Sequence, residues 1–176
     1  MQVPDHSENL RRRAEWHTGC FGCRSPDQGG LGLRFETRSD GSVVTAFTCP
    51  AEYRGYAGWV HGGIVATLLD EAMTECLVNL GIRGITARMN IRYRRPVDIG
   101  SEAIVEARLV RVADPLYVVQ AELHQNGRVR AVADAKFYGQ SAAEARAGVL
   151  PGYFTIADTA DHDSDASSTD VAPGNR

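Results

Sequence analysis

The sequence has no run of about 18 apolar residues free of charge, so no membrane-spanning helix is expected. Its opening, MQVPDHSENLRRR, lacks an apolar signal core. Basic charge is not in excess either: 19 Lys and Arg against 22 Asp and Glu leave a net charge of -3, which gives no electrostatic reason to expect nucleic acid. Cysteine is scarce. The four, Cys20, Cys23, Cys49 and Cys76, are too few and too scattered for a disulfide scaffold, and reduced thiols are the natural reading. No internal repeat is found. These absences point to a cytoplasmic protein. What is present is an ordinary globular composition, 43% apolar and 23% charged, in 176 residues, enough for one domain with a real core.

Residues 1–16 are polar and suit a short helix, and the glycine-dense GCFGCRSPDQGGLG reads as a loop. LGLRFETR and SVVTAFT flank SDG, a hairpin signal. A helix follows from about Gly62 to Leu80, with Gly81 as its C-terminal cap residue. Four strand-like runs come next, ITARMNIRYRRPV, SEAIVEARLVRV, LYVVQAELHQ and GRVRAVADAKFYG, joined by Asp-Ile-Gly, Ala-Asp-Pro and Asn-Gly turns. The order β-β-α-β-β-β-β defines an α+β domain over 17–139, between the polar segment 1–16 and an acidic, disorder-prone tail from 140 to 176.

The helix decides where its acids point. At about 100° per residue, Ile64, Val65, Leu68, Leu69, Ala72, Met73, Cys76, Leu77 and Leu80 cover roughly 220° of its circumference. So broad an apolar arc calls for a sheet curled around it. Asp70 lies at one edge of the arc, beside Leu77, and Glu71 lies on the other shoulder.

The motif HGG opens this helix. Helix N-termini present unpaired N–H groups, and glycine lets a ligand approach them, so His61-Gly62-Gly63 can hold an oxygen that becomes negative during a reaction. A partly buried Asp70 supplies the complementary group, able to attack a carbonyl or take a proton from water. Acyl transfer to water fits both parts. Nine residues separate His61 from Asp70, roughly 13 Å along a helix, so a second subunit has to bring one part to the other. The plainer readings are a helix that merely starts after glycine, a histidine that caps it, and a solvated carboxylate.

VHGGIVATLLDEAM resembles the helix signature of the hotdog-fold acyl-CoA thioesterases, in particular the PaaI-like group that includes the THEM proteins. TARMNIRYRRPVDIGSEAIVEARLVR is similar to that family's following strands, and CFGC with GLGLRF to the opening of many bacterial members. The resemblance spans roughly residues 17–139 and implies a long central helix wrapped by a curved antiparallel sheet, assembled as a homodimer or a dimer of dimers. It also implies hydrolysis of acyl-CoA without cofactor. Asp70 matches the catalytic carboxylate, as nucleophile or general base, with Glu71 in reserve. Gly62 matches the oxyanion-hole amide, with His61 and Gly63 beside it in the motif, and Thr86 matches the hydroxyl residue that orients water. Some relatives carry an Asn six residues before the His, where this chain has Gly55.

An acyl tunnel lined by Tyr53, Tyr56, Trp59, Met73 and Leu77 is expected, and Arg92, Arg94 and Arg95 are the candidates for the nucleotide phosphates, Arg92 and Arg94 on one face of a strand. The phosphopantetheine arm is shared by CoA and acyl carrier protein, so either carrier fits. His17, Cys20 and Cys23 have ligand-like spacing, but no second matching pair exists and no metal is expected. A hotdog hydratase or dehydratase and a non-catalytic acyl-CoA binding protein are the rival functions.

Overall fold

The computed structural model describes residues 6–141 together with residues 143 and 144, so nearly all of the expected acidic tail lies outside the described residues. Contacts divide the chain into two units, Met1–Ser141 and Ala142–Arg176, and every element named below belongs to the first. In chain order these are α1 (His6–Trp16), β1 (Glu36–Thr37), β2 (Val43–Thr48), α2 (Gly62–Asn79), β3 (Arg83–Tyr93), β4 (Glu102–Ala113), β5 (Leu116–Gln125) and β6 (Arg128–Gln140). The six strands form one antiparallel sheet in the order β1-β2-β4-β5-β6-β3. The expected order β-β-α-β-β-β-β is present, preceded by α1.

The sheet wraps α2. Alternate residues of the central strands face the helix and are buried: Ala103, Val105 and Ala107 on β4, Val119, Ala121 and Leu123 on β5, Ala131, Ala133, Ala135 and Phe137 on β6. Alanine at so many of these positions lets a helix carrying Leu68, Leu69, Met73 and Leu77 lie close over the sheet. At Gly84 on β3 the approach is closer still, since a Cβ there would lie 2.4 Å from Leu77 Cδ1. Asn126 and Gly127 turn β5 into β6 with φ of 53° and 68°, the conformation that the Asn-Gly pair predicts.

Two expectations are corrected. The first hairpin strand is only two residues long, because Leu31 and Leu33 donate their N–H groups to the carbonyls of Phe21 and Gly22 in the glycine-rich loop instead of pairing along β2. β3 stops at Tyr93, short of Pro96, and the N–H groups of Arg94 and Arg95 both turn to the carbonyl of Arg130. Arg92 and Arg94 therefore do not share a strand face. The polar segment at the N-terminus contributes α1, which packs on α2 through Arg13 Nε donating to Glu75 Oε1 at 2.7 Å.

Candidate active site

The start of α2 is built by its capping residue. His61 has extended backbone and its Nδ1 accepts from the Gly63 N–H at 2.9 Å, while its carbonyl accepts from Ile64 and Val65. Three N–H groups of the first turn are thereby used, and among the described residues the Gly62 N–H has no partner. Of the two glycines in the motif only Gly62 offers a donor; Gly63 is engaged with His61. From β3, Tyr93 Oη donates to the Gly62 carbonyl at 3.0 Å and holds the turn in place. Gly55 sits directly alongside, where a Cβ would come 3.2 Å from His61 Cα.

Asp70 faces β3. Thr86 Oγ1 donates to Asp70 Oδ1 at 2.8 Å, and no cation pairs with this carboxylate among the described residues. Burial pushes the Asp70 carboxyl above its usual range, against the opposing effect of the Thr86 hydrogen bond. The register of β3 explains both contacts. A bulge between Thr86 and Arg88 shifts the alternation by one residue, so Thr86 shares the helix-facing side with Phe137 and, beyond the bulge, Met89, Ile91 and Tyr93 take that side. Arg88, Asn90 and Arg92 are left exposed. Tyr93 is the residue that sequence reasoning missed, because unbroken alternation from Thr86 turns it outward.

Glu71 belongs to a different place. Its carboxylate accepts from Cys20 Sγ at 3.1 Å on the opposite shoulder of α2, and His17, Cys20, Cys23 and Glu71 bring one donor atom each within 4.8 Å of one another. The fourth donor that the sequence did not supply thus comes from α2. Glu75, also unmarked by sequence reasoning, is buried against Arg13. Its signal was present: an acid one turn after Glu71, inside an otherwise apolar stretch.

The expected tunnel is not assembled as foreseen. Met73 and Leu77 are wholly enclosed in the core, whereas Tyr56 and Trp59 stand 81% and 45% exposed on the loop before α2. Tyr53 is half-buried and packs against the core. Arg94 and Arg95 line an open depression of about 550 Å³ together with Arg128 and Val129. Arg92 is not among its lining residues, and Arg128 joins from the start of β6. None of the three lining arginines has a carboxylate partner among the described residues.

A helix enclosed by an antiparallel sheet, with a glycine-led N-terminus and a half-buried acid on one shoulder, defines a class. The thioesterase superfamily model matches residues 57–132, from the loop before α2 into β6. Over that segment the chain is similar to the thioesterase superfamily, and its fold is that of the hotdog thioesterases. Within that superfamily its likeness runs to the PaaI and THEM type. It is 30% identical over 86 residues to mouse acyl-coenzyme A thioesterase THEM4, covering 47% of this chain and 37% of that protein. Against human acyl-coenzyme A thioesterase 13 it is 26% identical over 98 residues, covering 54% and 70%. The chain thus spans little more than a third of the THEM4 relative's length. A solved thioesterase superfamily protein superposes with a TM-score of 0.60 at 28% identity, covering 62% of this chain and 57% of that one. A mutant of the phenylacetic acid degradation protein PaaI from Thermus thermophilus superposes at 0.59 with 22% identity, covering 66% and 100%, a likeness of fold.

Proposed function

We propose that this chain hydrolyses acyl-CoA thioesters to the free acid and CoA. The observation that carries the reading is a half-buried carboxylate that, among the described residues, has no cation beside it and is held by a single hydroxyl, in a fold whose helix N-terminus leaves the Gly62 N–H unpaired among those residues. Asp70 takes a proton from water as the water attacks the thioester carbonyl, or attacks the carbonyl itself to give an anhydride that water then opens. Thr86 orients the carboxylate. The Gly62 N–H receives the developing oxyanion, a role worth about 3 kcal/mol per donor where it has been measured. Collapse of the tetrahedral species breaks the C–S bond and releases the CoA thiolate, which takes up a proton.

The two parts lie roughly 13 Å apart along one helix, so the reading requires that Gly62 of one protomer face Asp70 of another. β3 suits this arrangement. It is an eleven-residue strand paired on one side only, and it carries Thr86 and Tyr93. The names of the relatives support CoA as carrier, and the guanidiniums of Arg94, Arg95 and Arg128, without a carboxylate partner among the described residues, suit its phosphates.

A thiol-release assay across aryl and fatty acyl-CoA thioesters tests the activity. Turnover on at least one of them, lost in Asp70→Asn, is the expected result; no hydrolysis of any CoA thioester by folded protein overturns the proposal. Single turnover in ¹⁸O-water separates the two chemistries, since only a nucleophilic Asp70 acquires the label in its own carboxylate.

A further inference from the structure

We propose that His17, Cys20, Cys23 and Glu71 bind a zinc ion that ties the N-terminal loop to α2. The donor set comes from two elements far apart in sequence: three residues in the turn after α1 and one from the third turn of the long helix. All four donor atoms lie within 4.8 Å of one another. Tetrahedral zinc, with bonds of about 2.0–2.3 Å, needs ligand atoms separated by about 3.3–3.8 Å, so small rotations of side chains complete the shell. Cys20 Sγ already lies 3.1 Å and 3.4 Å from the two Glu71 oxygens.

Three features of the loop point the same way. Buried Nδ1 of His17 has no hydrogen-bond partner among the described residues, a cost that a bound metal would remove. Gly22 lies so close over the carboxylate that a Cβ there would sit 2.4 Å from Glu71 Cδ, which allows the two cysteines to straddle Glu71. The loop is also held from outside the cluster, by Leu31 and Leu33 donating to Phe21 and Gly22 and by Arg24 N donating to the Cys20 carbonyl at 2.9 Å. Two thiols, an imidazole and a carboxylate thus share one confined space.

Two thiolates and an imidazole select a borderline-soft divalent ion over magnesium or calcium, and a four-donor protein shell leaves no open position for substrate or water. The ion is therefore structural. It makes Glu71 a ligand and removes it from the acid–base chemistry, one residue from Asp70 but on the other side of the helix. Cys49 and Cys76 are buried elsewhere and take no part.

Cobalt titration of the chelator-stripped, reduced full chain is the test. Tetrahedral binding at this site produces thiolate-to-cobalt charge transfer in the near ultraviolet and intense d–d absorption, saturating at about one equivalent and displaced by zinc. Protein isolated without chelator retains about one zinc per chain by mass spectrometry of the metal. In Cys23→Ser the charge-transfer band drops, and in Glu71→Gln it survives while affinity falls by about tenfold or more. The wild-type titration needs no variant to fold, and its readout is independent of thioester hydrolysis. Reduced, folded wild type that takes up neither metal overturns the proposal. So does a Cys20–Cys23 disulfide that persists under reductant, or metal uptake unchanged in both variants.

Discussion

Asp70 sits where water is partly excluded, and its proton affinity is raised by that exclusion more than the Thr86 hydroxyl lowers it. The folded protein therefore holds the proton more tightly than the unfolded chain does. Between the ordinary Asp pKa and the raised one the native state binds more protons, so stability contributed by this group falls as pH rises through that window. Asp70→Asn removes a buried charge at neutral pH while keeping an acceptor for Thr86. It is expected to cut hydrolysis by roughly two orders of magnitude or more. It should also raise Tm at pH 7, a gain that disappears in acid once the wild-type carboxyl is protonated; melting curves across pH for both proteins measure this. Thr86→Val deletes the one contact that favours the charged form, so the acid limb of the pH–rate profile should move to higher pH. An unmoved profile would show that Thr86 does not bear on the base. At this scale the sequence was informative where a position on a helix wheel decides the outcome, as for Asp70. It offered a capping His61 among its readings but was silent on which N–H the cap takes, that of Gly63 and not that of Gly62.

Elements were legible wherever periodicity runs unbroken. The broad apolar arc of α2 predicted its enclosure, because the 3.6-residue repeat is an internal property of the segment, and Gly81 predicted its end near Leu80. What escaped is relational. The bulge at Thr86–Arg88 depends on pairing with β6, and it alone decides that Tyr93 rather than Arg92 looks toward α2. Likewise Arg94 and Arg95 read as strand, yet their backbone is captured by Arg130. Arg94→Ala tests the depression that they rim with Arg128. KM for acyl-CoA should rise while a truncated acyl-pantetheine thioester is hardly affected, and equal losses on both substrates would locate the damage in folding instead. His61→Ala removes a side-chain cap and should lower stability by about 0.5–2 kcal/mol, read from denaturant unfolding.

The whole molecule carries the remaining prediction, because the proposed site needs two chains. Asp70→Asn and Gly62→Val are each expected to be inactive alone. Among the described residues the nearest atoms to a Cβ at Gly62 are those of the Tyr93 phenol, at 3.9 Å, so the second variant has room to fold. Subunits mixed in equal amounts and allowed to exchange should form about half mixed dimers, each with one intact site, and return about a quarter of normal activity. Exchange without recovery would separate the acid from the donor. Thr86 adds a consequence of its own. It stands on the strand at the open border of the sheet, yet its hydroxyl tunes a carboxylate on the central helix. Whatever settles on that border presses on the hydroxyl, so the strength of the base becomes a gauge of association. Diluting the protein should then change not only how many sites exist but also the pH at which each one switches on.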